Sequence, residues 1–247
     1  AGHMLFVQGN RLVAREFRGD NPRPSGGILS LGNAPPASSF AGASNLSASG
    51  NGVLVHTAAD PPKTQLAWLD RSGKLLDTIP LAPAAYSSPS ISPDGRRAVV
   101  SIMNSPTSYD LWLVDLQRAV TTRLTFDGLA SGGAGLGATP VWSPDGTRIA
   151  YQCSRSGVYD ICLVFADATG KPEPLVESNV VFKLPVSWSP DGEYLLWNQN
   201  VEQTQWDIWL LPVQGDRKPV PYLRTPFDEN TAAVSPDGHW LAYDSNE

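Results

Sequence analysis

Charge is scarce in this chain. Only 17% of its 247 residues are Asp, Glu, Lys or Arg, and 24 acids against 18 bases leave a net charge of −6. The bases are scattered, with only Arg96-Arg97 and Arg217-Lys218 adjacent. A nucleic-acid surface needs a basic stripe, so nucleic acid is excluded as a partner. No apolar run approaches the roughly 18 residues that a membrane-spanning helix requires. No basic segment followed by an apolar one opens the chain, so no signal peptide is read from it, and the chain fits the exported part of a longer protein. The three histidines, His3, His56 and His239, lie far apart without metal-ligand spacing. Neither a metal nor a cofactor is expected. Cysteine is limited to Cys153 and Cys162. A helical period is also missing, since no window of 12 or more residues sustains it.

Turn residues are abundant instead, with 22 Gly and 22 Pro. One four-residue turn recurs as Ser92-Pro93-Asp94-Gly95, Ser143-Pro144-Asp145-Gly146, Ser189-Pro190-Asp191-Gly192 and Ser235-Pro236-Asp237-Gly238. A degenerate copy, Ser-Ala-Ser-Gly, stands at 47–50. The starts at 47, 92, 143, 189 and 235 are separated by 45, 51, 46 and 46 residues. Self-similarity at this period marks a repeat architecture. Each repeat carries four strand signals, A to D, of about four to seven residues. In the third repeat these fall at 139–142, 148–152, 159–165 and 173–176. Four short strands per repeat is the arithmetic of a β-propeller blade. Near-continuous apolar strands such as Leu111-Trp112-Leu113-Val114 fit sheets packed on both faces.

The expectation is therefore an all-β, single-domain β-propeller of four-stranded antiparallel blades. Four complete blades lie at 40–80, 86–126, 138–178 and 184–224, with partial blades at 1–32 and 230–247, making five or six in this chain. The strands at 231–244 are expected to share a blade with those at 4–31.

The repeated turn reads as structure. Pro sets φ at the second position, Asp bonds the backbone locally and Gly accepts positive φ. Three aspartates, Asp110, Asp160 and Asp207, open strand C of successive repeats. They read as anchors of the B–C turns, with Trp112 and Trp209 packing between blades. The glycine-rich stretch 132–137 lacks the Lys-Ser/Thr of a phosphate loop and precedes a strand, so it reads as an inserted loop. No Gly-x-Ser-x-Gly elbow and no Ser/Asp/His constellation is present, so no catalytic residue is assigned and the chain is not read as an enzyme. If the hairpin turns at 155–158, Cys153 faces residue 160 and Cys162 lies diagonally, about 7 Å or more away, near the limit for a bridge. Two buried thiols are expected.

The pattern Pro-Val-Trp-Ser-Pro-Asp-Gly-x-x-Ile-Ala-Tyr at 140–151, followed by Tyr-Asp-Ile at 159–161, resembles the WD-like repeat of TolB-type β-propellers. The segments 45–56, 65–74, 122–127, 215–219 and 223–230 resemble the C-terminal propellers of bacterial membrane-anchored serine/threonine kinases. That resemblance implies a non-catalytic sensor of a protein partner or small ligand, periplasmic or extracytoplasmic and tethered in the full-length protein. The kinase motifs themselves are absent. Alternatives are the gating propeller of a prolyl-oligopeptidase-like peptidase and a TolB-like periplasmic scaffold. A cytoplasmic location stays open. Binding is expected on the irregular B–C and D–A loops, at the end opposite the Ser-Pro-Asp-Gly turns. The candidate residues there are Tyr86, Arg155, Lys183, Trp206 and Asn230.

Overall fold

Turn chemistry and short apolar runs translate into strands throughout. The computed structural model describes residues 2–8, 11–18, 21–33, 46–48, 54–56, 63–105, 108–126, 129–130, 139–155, 158–177, 182–201 and 204–247. The chain divides into two compact units, 1–62 with 105–107, and 63–104 with 108–247.

In the first unit, β1 (Gly2–Gln8), β2 (Arg11–Arg18) and β3 (Asn21–Asn33) form an antiparallel sheet in that order. Leu5 faces Ala14, and Val13 is buried. A separate pair joins β4 (Leu46–Ala48) and β5 (Leu54–His56).

The second unit opens with the hairpin β6 (Ala67–Leu69) and β7 (Leu75–Thr78). Three antiparallel sheets follow, each containing four strands in sequence order. The first holds β8 (Tyr86–Ile91), β9 (Arg97–Ser105), β10 (Ser108–Asp115) and β11 (Val120–Arg123), and β12 (Leu129–Ala130) also pairs with β10. The second holds β13 (Val141–Trp142), β14 (Arg148–Arg155), β15 (Val158–Phe165) and β16 (Glu173–Val176). The third holds β17 (Lys183–Trp188), β18 (Tyr194–Val201), β19 (Gln205–Pro212) and β20 (Val220–Leu223). A last hairpin joins β21 (Glu229–Val234) to β22 (Leu241–Ser245).

The four consecutive strands of these sheets thus span 86–123, 141–176 and 183–223. The stretch 40–80, expected as a blade, contains no four-stranded sheet among its described residues. Its first two strands pair in the first unit and its last two in the second. At the end of the second unit, β21 and β22 pair with each other.

The core explains why the blades read as apolar on both faces. On β14 the side chains alternate, as any strand requires. Ile149, Tyr151 and Cys153 pack with Val99, Leu111 and Leu124 of the preceding blade. Ala150 turns the other way, into a cluster with Ile161, Leu163, Trp188, Leu195 and Trp197. The 141–176 blade is thus wedged between two neighbours. A fully buried aliphatic side chain of this kind contributes about 1.5–3 kcal/mol.

The cysteines correct an expectation. Cys153 does face Asp160, as the hairpin register required, and Cys162 faces Tyr151. The diagonal pair is nevertheless bridged, with Cα atoms 5.8 Å apart. Strand twist is the physical reason, since it shortens one diagonal of a ladder and lengthens the other. The closed loop is short, with a sequence separation of 9. In the chain-entropy account such a loop contributes about 2–3 kcal/mol. Reduction with dithiothreitol should therefore lower the urea midpoint of this unit. An unchanged midpoint in the reduced, alkylated protein would show that the bridge adds nothing.

Candidate functional site

The Ser-Pro-Asp-Gly segments fold into four A–B turns of one design. In each, the Gly amide donates to the Ser carbonyl at 2.9 Å. The four Gly residues take φ of 69, 68, 77 and 74 degrees in chain order. Residues with a side chain resist that region. The Ser hydroxyl donates to the Asp Oδ1 at 2.5 Å in the turns at 92, 143 and 189, and the same bond closes the turn at 235. That oxygen also accepts the amides of Arg96, Thr147, Glu193 and His239. Adjacent turns lie close together. A Cβ added at Gly146, Gly192 or Gly238 would come within 3.7, 4.0 and 3.9 Å of Cδ of Pro93, Pro144 and Pro190 in the preceding turns. One oxygen of each repeated carboxylate, Oδ1, is taken up by its own turn.

Their Ser hydroxyls, followed by the local amides, hold Asp94, Asp145, Asp191 and Asp237 below the usual carboxylate range. A depressed folded value contributes stability that is complete above the unfolded value of about 3.9 and is lost as pH falls through the folded one. The urea midpoint is therefore expected to drop as the pH is taken from neutral to below that unfolded value. Replacing all four by Asn should flatten that acid limb. An equally steep limb in the quadruple variant would exclude the turns as its source.

The aspartates of strand C are deeply buried, and their partners differ. Asp110 accepts from Arg123 Nη2 at 2.6 Å and from Asn104 near the end of β9. Asp160 pairs with Lys183 Nζ at 2.9 Å. Asp207 accepts from Thr204 Oγ1 at 2.8 Å, with Arg224 Nε at 3.7 Å. Burial pushes its carboxyl up, against the pull of Thr204 and Arg224. Asp207 thus anchors the B–C connection through Thr204, Asp110 holds the end of β9, and the ion pairs are an addition that the spacing did not reveal. Trp112 and Trp209 pack against apolar clusters, as expected.

The five candidate residues of the loop end fall into three places. Tyr86 opens β8, where its hydroxyl donates to the Ala82 carbonyl at 2.7 Å and burial raises its pKa. Arg155 closes β14 opposite Val158. The other three gather at one end of the 183–223 blade. Lys183 faces Gln199 and Trp206 faces Asn200, so they flank β18 one residue apart. The Trp206 amide donates to Asp228 Oδ1 at 3.2 Å, and Asn230 lies two residues further on. Lys183 is fully buried, with its ammonium on Asp160 and on the Tyr159 carbonyl at 3.2 Å. Asn198 clamps the next strand by donating to the Glu229 carbonyl at 2.8 Å and accepting the Thr231 amide at 3.2 Å. The loop residues 106–107, 131–138, 156–157, 178–181 and 202–203 lie outside the described residues, and with them the glycine-rich stretch.

A cleft at the opposite, turn end escaped the sequence reading. Its volume is about 700 Å³, and Asp145, Arg148, Trp188, Asp191, Gly192 and Arg217 are among its lining residues. It opens between the 143 and 189 turns and the C–D turn at 213–217. A sequence signal existed, because Arg97 and Arg148 each stand five residues after the Ser of their turn, and Trp142 and Trp188 each stand just before it.

No family model matches the chain. Among solved structures it is similar to TolB from Acinetobacter baumannii, with a TM-score of 0.58 and 18% identity over 72% of this chain and 42% of that one. A putative TolB from Agrobacterium tumefaciens gives 0.58 and 17%, over 74% and 62%. A prolyl endopeptidase structure gives 0.55 and 17%, over 78% and 31%. The chain thus spans between about two fifths and three fifths of the two TolB chains. At these identities the likeness concerns architecture, and the fold is that of a TolB-like β-propeller built from four-stranded antiparallel blades.

Proposed function

We propose that this chain is a non-catalytic recognition propeller that binds a protein partner or small ligand at its loop end. It forms the extracytoplasmic part of a receptor-type serine/threonine kinase. The observation that carries the location is the Cys153–Cys162 disulfide, because such bonds persist in oxidising compartments. Recognition rests on the loop end, supported by Trp206, which faces Asn200 of β18 and donates its amide to Asp228 two residues before Asn230, and by the buried Asp160–Lys183 pair and the buried Asp207 beside partly exposed Arg224. Loops on a rigid scaffold are where binding residues concentrate. Tyr86 and Arg155 extend the same end on the two preceding blades.

The gene product around the chain provides the test. A kinase domain followed by a membrane-spanning helix upstream is expected. A hydrolase domain with Gly-x-Ser-x-Gly downstream would replace the sensor with a peptidase gate, the reading that the prolyl endopeptidase likeness favours. Capture of a partner from envelope extract should weaken with Trp206→Ala and Asn230→Ala. Capture unaltered by both would remove the loop end from the account.

A further inference from the structure

The turn-end cleft has an internal precedent one blade earlier. There Arg97 crosses into the 143 blade, donating to Gly146 O at 3.0 Å and Ala166 O at 3.3 Å, with its guanidinium 5.1 Å from the Trp142 ring centre. The slot between those blades is filled. Between the 143 and 189 blades the equivalent residue is Arg148, and it stays at home. Its guanidinium lies 5.5 Å from the ring of Phe165 in its own blade. Arg97 Nη2 comes within 3.7 Å of the Cβ position of Gly146, whereas the corresponding position at Gly192 meets only Pro144, at 4.0 Å.

The acceptors that would have drawn Arg148 across are already engaged. Gly192 O accepts Trp188 Nε1 at 3.2 Å, and Val213 O accepts Arg217 Nε at 3.0 Å. Among the described residues, neither the Arg148 guanidinium nor the terminal nitrogens of Arg217 donate a hydrogen bond, and neither arginine is paired with a carboxylate. Two guanidinium groups without a carboxylate within ion-pair distance line one cleft, and a guanidinium is the side chain best suited to take up an oxyanion. The cleft is not simply cationic. Asp145 has both carboxylate oxygens engaged, by Ser143 and by Thr147, but among the described residues Asp191 Oδ2 has no donor. A plain anion would leave that oxygen repelled, while a donor carried beside the anion would meet it. Trp188 adds an aromatic wall.

We propose that this cleft binds a small carboxylate that carries a hydrogen-bond donor on its α-carbon, an amino acid by class. The carboxylate sits on Arg148 and Arg217, the ammonium turns to Asp191, and the side chain lies against Trp188. The site lies at the opposite end of the 183–223 blade from Trp206 and Asn230, so it stands or falls apart from the loop-end reading.

Isothermal titration of the whole chain with glycine, L-phenylalanine, acetate and inorganic phosphate tests it. Saturable binding of L-phenylalanine is expected, tighter than acetate. About a tenfold loss is expected in Arg148→Gln and again in Arg217→Gln, in line with a charge-assisted hydrogen bond. Arg118→Gln, on an exposed turn of another blade, should bind like the parent. Unchanged melting temperatures certify that the variants are folded. Absence of saturable amino-acid binding, phosphate binding in preference to amino acids, or undiminished affinity in folded Arg148→Gln would each overturn the assignment.

Discussion

Replacing Lys183 with methionine is expected to destabilise the protein by about 3–5 kcal/mol, because it strips the buried Asp160 carboxylate of the Lys183 ammonium. Both side chains are essentially inaccessible, at 0% and 2% exposure, so water cannot take over the role of Lys183. In a unit of this size each kcal/mol shifts the melting temperature by about 2–4 °C, so a drop on the order of 10 °C is expected. Removing both charges, as Lys183→Met with Asp160→Asn, should recover part of the loss, since a buried carboxylate then no longer has to be held without the Lys183 ammonium. Urea denaturation of the two single variants and the double variant measures this as a cycle. A single Lys183→Met variant within about 1 kcal/mol of the parent would mean that Asp160 does not depend on this partner.

The second large effect is expected at Trp197. Its side chain is fully buried, its indole nitrogen donates to Gln199 Oε1 at 3.3 Å, and its ring stacks on Trp209 with centres 6.1 Å apart. It shares a cluster with Ile161, Leu163 and Val176 of the preceding blade. Trp197→Ala removes a fully buried indole from that joint and should cost about 3–5 kcal/mol. Trp197→Phe keeps part of the stacking and should cost less. Trp240 serves as the contrast, since it is 74% exposed. Trp240→Ala is expected to stay within about 0.5 kcal/mol of the parent, as surface substitutions usually do. Equal midpoint shifts for Trp197→Ala and Trp240→Ala would refute the burial argument.

How legible each feature was depends on how local its cause is. The A–B turns were readable because Ser, Pro, Asp and Gly each fix part of the turn within five residues. The four-stranded antiparallel sheets followed from turn spacing and apolar runs for the same reason. The hairpin register around Cys153 was readable as well. Its consequence was not, because sheet twist decides which diagonal closes and no residue type encodes twist. Lys183 was read as a loop residue facing a ligand. Its partner Asp160 lies 23 residues earlier on another blade, and only the packing of β17 against β15 brings the two together. Asp110, Asp160 and Asp207 occupy one repeating position, yet their cations come from strand D, the next blade and the end of strand D in turn. Repetition disclosed the acids without disclosing their partners. The cleft stayed hidden for a related reason. Arg97 and Arg148 look identical in the repeat, and only geometry separates the one that crosses from the one that does not.

The close approach of Pro93, Pro144 and Pro190 to the glycine of the following turn has an evolutionary consequence. Both halves of that joint reside in the same four residues, so a duplicated repeat carries its own plug and its own socket. A tandem copy could be inserted or deleted at the 46-residue spacing between the last three turns without any new complementary surface having to arise. Blade number in such a chain is then free to drift by gene duplication, while the loops at the far end of each copy diverge independently.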